Sequence, residues 1–289
     1  MSAVTAVDGH RCLLAENPRW LADRQVLQHV DITGRELHRL DPVSGERSVE
    51  AVDGDLGFAV VREGGGSVRG IERELVAVAA DGERRVLAAV EPDATDNRFN
   101  DGQCDGAGRL WTGTLSRIRE RGTAALYRVD PDGSVTAVRE RLTLANGTGW
   151  SPEGDTMYFI DSTEQRVDAF DYDVRDGTLG ARRVLAEVAP ADGLPDGLAV
   201  DAEGGVWVAL FGGGVIRRYA RDGALTEVVA LPTSNVTSLA FGGPALDRLY
   251  LTTARHRLTA TQLQAQPLAG AILQLDPGVR GLPDRPFAG

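Results

Sequence analysis

Gly108-Arg-Leu-Trp-Thr-Gly-Thr114, Asp155-Thr-Met-Tyr-Phe-Ile-Asp161, Gly204-Gly-Val-Trp-Val-Ala-Leu210 and Asp247-Arg-Leu-Tyr-Leu-Thr-Thr253 are four versions of one phrase. Each is a short run rich in β-branched and aromatic side chains that follows a Gly/Asp turn, which is the pattern of a β-strand. Each is answered by a second run, at residues 125–130, 167–172, 215–219 and 271–276, and then by another turn at Asp132-Gly133, Asp176-Gly177, Asp222-Gly223 and Pro277-Gly278. Fainter copies of the pair stand earlier in the chain, at 26–31 with 36–41 and at 67–71 with 74–79.

The first turn of each unit falls near residues 23, 65, 107, 154, 204 and 246, a spacing of roughly 42 to 50 residues, which is the length of a four-stranded propeller blade. Six such units account for all 289 residues, with no linker and no amphipathic helical stretch of any length between them. The expectation is an all-β, six-bladed β-propeller with four antiparallel strands per blade, built as a single domain over residues 1–289. A β-sandwich also has short strands and many turns, but it does not repeat one strand-turn-strand phrase six times. Because ring closure removes exposed strand edges, an N-terminal strand should complete the last blade, and residues 10–14 beside 271–276 are the candidate.

Composition narrows the chemistry. Hydrophobic residues make up 42% of the chain, enough for a sizeable core, and 31 basic against 42 acidic residues leave a net charge of −11. That sign disfavours nucleic acid and anionic membrane surfaces as partners. The chain contains no lysine, so Schiff-base and pyridoxal phosphate chemistry and the lysine of a phosphate-binding loop are excluded. Cys12 and Cys104 are too few and too far apart for a disulfide framework, which fits a reducing compartment. Residues 1–19 lack a cationic start followed by an apolar core, and no window approaches eighteen apolar residues, so a cytoplasmic location is expected. The four histidines form no HExxH or closely spaced pair, and each is read as a surface or satisfied core residue. Residues 171–177 break the EF-hand spacing at Arg175 and Asp176, and no GxSxG elbow is present.

The first strand of every blade lines a propeller's channel, so one position superposed over six blades gives a ring of side chains. Counting five residues back from the start of each first turn selects Glu16, Gly57, Asn100, Asn146, Asp196 and Thr237. Two carboxylates and two amides converging on an axis make a hard-oxygen site suited to Ca²⁺, Mg²⁺ or Mn²⁺, with Zn²⁺ also possible. The same positions include the turn-type pairs Asn146-Gly147 and Asp196-Gly197, which out of register are ordinary turn dipeptides.

Glu16-Asn-Pro-Arg-Trp20, Asn97-Arg-Phe-Asn-Asp-Gly102, Gly113-Thr114, Asn146-Gly147 with Trp150-Ser151, Pro195-Asp-Gly197, Asp201-Ala-Glu-Gly204 with Trp207-Val-Ala209, and Phe241-Gly-Gly243 together resemble the SMP-30/gluconolactonase/regucalcin family. The resemblance runs from the first blade to the last. It implies a six-bladed propeller that hydrolyses a sugar lactone of the glucono-1,5-lactone kind, using one divalent cation in the channel, with Ca²⁺ the first expectation. It places the metal ligands on Glu16, Asn146 and Asp196 and the substrate contacts on Arg98 and Asn100. The chain departs from the family pattern at Ala15 and Gly149. An acidic substrate contact of the animal members falls near Arg117 and Ile118, within an arginine-rich loop.

These residues imply a metal-dependent lactonase in which water is the nucleophile and one of the two ligand carboxylates, Asp196 ahead of Glu16, is the general base. Arg98 and Asn100 would orient the sugar, and Arg117 or Arg119 would favour a more acidic or more oxidised one. Two other readings use the same channel: a phosphotriester hydrolase on the same metal, and a non-catalytic calcium- or ligand-binding propeller.

Overall fold

The computed structural model describes residues 3–289. It contains six separate four-stranded antiparallel sheets arranged as a β-propeller. The innermost strands, in chain order, are Ala15–Leu21, Leu56–Val61, Asn97–Cys104, Ala145–Trp150, Leu194–Val200 and Val236–Gly242. Neighbouring inner strands contact one another around the axis, the last touching the first. Each of the first five sheets then runs outward in sequence order, as in blade one with Val26–Asp31, Glu36–Leu40 and Arg47–Ala51. Burial follows this order: Leu110–Ser116 and Thr156–Asp161, second strands packed between neighbouring blades, are buried throughout, whereas the outer Arg84–Ala89 is largely exposed.

The repeated phrase has a physical basis in two aspartates. Asp105 Oδ1 accepts the Ala107 and Arg109 backbone N–H groups at 2.8 and 3.0 Å, and its Oδ2 accepts the indole N–H of Trp111 at 3.1 Å. Asp201 does the same two blades later, accepting from Glu203 N, Gly205 N and Trp207 Nε1 at 2.9, 2.8 and 2.8 Å. Each aspartate thus shapes the hairpin turn and satisfies the polar edge of a tryptophan that is otherwise fully buried.

The strand that closes the ring is Thr5–Ala6, which pairs antiparallel with Leu273–Leu275 in the sixth sheet. Residues 10–14 do not take that place. The Asp31 carboxylate accepts the backbone N–H groups of Leu13 and Leu14 at 2.7 and 2.9 Å, which binds this segment to blade one as the approach to its inner strand. The all-β expectation holds: among the described residues the one α-helix, Ala260–Ala265, is six residues long and is opened by a capping box between Thr259 and Gln262. Among the described residues, no helix is long and apolar enough to cross a membrane. Both cysteines are buried and unpaired.

A feature absent from the repeat is a C-terminal strap across one end of the channel. Gly281 N donates to Leu246 O, and Ala202 N to Arg280 O, on the side of blades five and six. Phe287 N then donates to Val61 O, and Ala288 N to Gly108 O, on the side of blades two and three. Phe287 is buried against Phe58, Val60 and Leu110. Midway along the strap, Asp284 receives both its hydrogen bonds from Nη1 of Arg19, at 2.8 and 3.0 Å, and the Arg19 side chain is only 1% exposed. Removing one partner of such a pair leaves a buried charge uncompensated. Asp284→Ala is therefore expected to lower the free energy of unfolding by about 3 kcal/mol, measured by urea denaturation. A loss below about 0.5 kcal/mol, the level of an ordinary surface change, would show that the strap does not hold Arg19.

Candidate functional site

All six inner strands break register at the ring position. Glu16 pairs with Val30, and the next pair is Arg19 with Gln28; in the other five blades the ring residue itself, Gly57, Asn100, Asn146, Asp196 or Thr237, has no cross-strand partner. A β-bulge of this kind re-aims a side chain that would otherwise alternate across the sheet. The Asn-Gly and Asp-Gly pairs are therefore not turns but bulges inside strands. Glycine follows because the next inner strand passes so close: a Cβ on Gly147 would stand 2.6 Å from Leu198 N, and one on Gly197 would stand 2.2 Å from Ser238 Oγ.

Glu16, Arg98, Asn100, Asn146 and Asp196 all line one cavity of about 270 Å³, at the end of the channel away from the strap, and all five are buried. Two ring positions drop out. Gly57 has no side chain to offer, and the Thr237 hydroxyl donates to Ala15 O at 2.6 Å in a purely structural contact. The remaining polar groups are fixed by one another. Asn100 Nδ2 donates to Asn146 Oδ1 at 3.0 Å and to Ala145 O at 2.9 Å, while its Oδ1 accepts from Arg98 Nη1 at 2.9 Å. Asn146 Nδ2 donates to Ser162 Oγ at 3.0 Å, and that hydroxyl donates on to Pro195 O at 2.6 Å. Ser162, which the sequence repeat does not single out, thereby sets the direction of the Asn146 amide. Its signal in the sequence is faint, one hydroxyl directly after the strand that ends in Asp161.

The carboxylates are held differently. Asp196 Oδ1 is buried and has no hydrogen-bond partner, an expensive state for a lone oxygen. Burial, and then the charge of Asp101, push the Asp196 carboxyl well above the usual carboxylate range, against the opposing pull of Asn146 and Arg98. Glu16 is pushed the same way by burial, then by Asp196 and Asp101. Arg98 is itself buried, which lowers its guanidinium to about 10 despite Asp55 nearby. Two carboxylates and the Asn146 amide thus line one cavity, one carboxylate with a buried oxygen that has no partner, and this donor set fits a divalent cation with hard-oxygen preference.

A second set of ligand-type groups lies outward on blade one, where ligand atoms of His10, Cys12 and His38 come within 4.8 Å of one another. Sequence spacing does not show this cluster, because blade pairing assembles it. Its centre is already served by a cation: Arg47 Nη1 donates to His38 Nδ1 at 2.8 Å and to His29 Nε2 at 2.9 Å, and its guanidinium pairs with Asp8. His29 and His38 are satisfied core residues, as expected, and His256 instead lines the cavity mouth.

Residues 14–255 match the family described as SMP-30/gluconolactonase/LRE-like region. The chain belongs to this family. Regucalcin of Gallus gallus is 35% identical to it over 294 aligned positions, covering 99% of this chain and 98% of the relative. The crystal structure of the calcium-binding protein regucalcin from Agrobacterium tumefaciens strain C58 superposes with a TM-score of 0.94 at 30% identity, covering 99% of this chain and 98% of that one. A luciferin-regenerating enzyme superposes with a TM-score of 0.93 at 31% identity, covering 99% of both chains. Family membership therefore rests on nearly the whole ring and not on the site motifs alone.

The raised carboxyls carry a consequence for protein treated with chelator. The folded state keeps protons that the unfolded chain releases, so this contribution to stability is full at low pH and is lost as pH rises through the raised values. Buried neutral His29 and His38 act in the opposite sense, so the comparison needs a reference that retains them. Between about pH 5 and about pH 8, wild-type Tm is expected to fall relative to a Glu16→Gln, Asp196→Asn variant. Parallel Tm curves for the two proteins would contradict the assignment.

Proposed function

We propose that this chain is a divalent-metal-dependent lactonase that hydrolyses a sugar lactone of the glucono-1,5-lactone kind to the open-chain acid, with Glu16, Asn146 and Asp196 as the metal ligands. The observation that carries the proposal is the partnerless buried oxygen of Asp196 beside Glu16, at the floor of an open cavity, in a chain of this family. When bound, the cation supplies positive charge against the ester carbonyl and against the oxyanion that develops from it. Ca²⁺ is the first choice, on the hard-oxygen donor set and on the calcium-binding description of the Agrobacterium relative.

The protein's own groups do the rest. Asp196 takes the proton of the attacking water, since a ligand carboxylate keeps a second oxygen for that purpose. Arg98 holds the substrate: its Nη1 is committed to Phe99 O and Asn100 Oδ1, while Nη2 lies free of any protein partner among the described residues and can donate to a sugar hydroxyl. Asn100 keeps Arg98 and Asn146 in register with one another and presents the edge of its amide to the cavity. The strap crosses the far end of the channel, and the mouth beside Arg98 is the route for substrate and product.

Two measurements test this reading. Asp196→Ala should fold, lose its divalent ion by elemental analysis, and lose lactone hydrolysis followed by acid release; an ion retained in full stoichiometry would remove Asp196 from the ligand set. A metal-loaded wild type that turns over no lactone, but hydrolyses a phosphotriester or only gains stability from Ca²⁺, would replace the proposal with one of those functions. Separately, Arg98→Ala should keep the metal and lower kcat/KM for the best lactone by roughly tenfold to a thousandfold, the range for losing one to a few charge-assisted hydrogen bonds. Wild-type kcat/KM in that variant would show that Arg98 does not touch the substrate.

A further inference from the structure

Four arginines, 98, 117, 119 and 257, line the cavity, and they are not equivalent. Arg98 lies 3.7 Å from Asp55. Arg117 pairs with Asp55 at 2.9 Å and also with Glu72, so it is bound to the wall rather than offered to a ligand. Of the two loop arginines singled out from the sequence, this leaves Arg119. Neither Arg119 nor Arg257 has a carboxylate within ion-pair distance among the described residues, and the one side-chain contact of Arg257 is from its Nε to His256 Nε2 at 3.2 Å.

Their placement is as informative as their lack of partners. Arg119 stands on the loop after Leu110–Ser116, the second strand of blade three, with φ of 57°. Arg257 stands on the loop after Arg248–Thr253, the second strand of blade six, with φ of 64°. The third and sixth of six blades face each other across the axis, so the two loops reach over the mouth from opposite sides. They come near enough for the charge of Arg257, second only to burial, to depress the Arg119 guanidinium. In a chain of net charge −11, two like-charged groups have been brought together over a cavity and left uncompensated. An anion between them would relieve that repulsion, and the planar guanidinium fork matches the oxygens of a carboxylate or a phosphate.

We propose that Arg119 and Arg257 bind a second acid group on the substrate, carboxylate or phosphate, so that the cavity prefers sugar lactones that are already acidic over neutral ones. The proposal rests on the lactonase reading for the position of the ester, which lies over Glu16 and Asp196; the second acid group then lies at the mouth.

Metal-loaded wild type and an Arg119→Ala, Arg257→Ala variant are compared on three lactones: glucono-1,5-lactone, which is neutral, glucaro-1,4-lactone, which carries a carboxylate, and 6-phosphoglucono-1,5-lactone. Wild-type kcat/KM is expected to be about tenfold or more higher for one of the acidic lactones than for the neutral one. The double variant should lose at least about tenfold more on that acidic lactone than on the neutral one, mainly through KM, and added salt should erode the wild-type advantage. Which acidic lactone shows the advantage distinguishes carboxylate from phosphate. Equal rates on neutral and acidic lactones, or equal losses in the variant, would overturn the proposal while leaving the lactonase reading intact. If no lactone is hydrolysed, the lactonase reading fails and calorimetric titration decides the arginine pair alone. Tighter binding of glucarate or 6-phosphogluconate than of gluconate, lost in the double variant, would sustain the pair's role; equal affinities would end it.

Discussion

Six strands converging on one axis leave almost no room between their backbones, and the rest of the site follows from that crowding. Where the inner strands of blades four and five meet, a methyl group on Gly147 would press into the backbone of Leu198 and Asp196. Where blades five and six meet, one on Gly197 would press into Ser238. Regular pairing cannot continue through such a contact while also pointing a side chain at the axis. Each strand therefore bulges, and the bulges release the side chains of Asn100, Asn146 and Asp196 from the alternation of the sheet. The glycines and the site residues next to them are two consequences of one steric constraint.

The same crowding makes the site electrostatically expensive. Burial raises the proton affinity of Glu16 and Asp196, the charge of Asp101 adds to the rise on both and that of Asp196 to the rise on Glu16, and only part of that cost is met by protein groups. Asp101 is served by Asn17 at 2.5 Å and by the backbone of Gly102 at 2.8 Å, on the side toward Arg19 and the strap. Asp196 has an oxygen that nothing in the protein serves. The channel is thus divided along its length: one end holds the Arg19–Asp284 pair and is crossed by the C-terminal segment, and the other is left with two proton-retaining carboxyls and an unserved oxygen beneath an open mouth.

Much of the fold could be read from the chain because a propeller is a local repeat. Asp105 with Trp111 and Asp201 with Trp207 satisfy their hydrogen bonds within a few residues, so the sequence carries the same signal in blades three and five. Ring positions were legible for the same reason: counting back from equivalent turns lands on equivalent bulges. What lay outside the repeat was not legible. The closing strand Thr5–Ala6 is two residues long, and what marks it is its partner at the far end of the chain. The strap has no strand pattern, and its key contact joins residues 19 and 284. Arg98, which the superposition alone does not select, was reached through family resemblance and lines the same cavity.

The sequence by itself determined the all-β repeat, the six blades and the residues presented to the axis, because each depends on short-range hydrogen bonding and on periodicity that one blade's worth of chain contains. Only the tertiary structure decided which of those residues act together. Thr237 occupies a ring position and is consumed by Ala15, Ser162 lies outside the ring and orients Asn146, and Arg117 is held by Asp55 and Glu72 while Arg119 is not. Those outcomes turn on contacts between blades far apart in sequence, where what fixes the role of a side chain is the partner that reaches it in space.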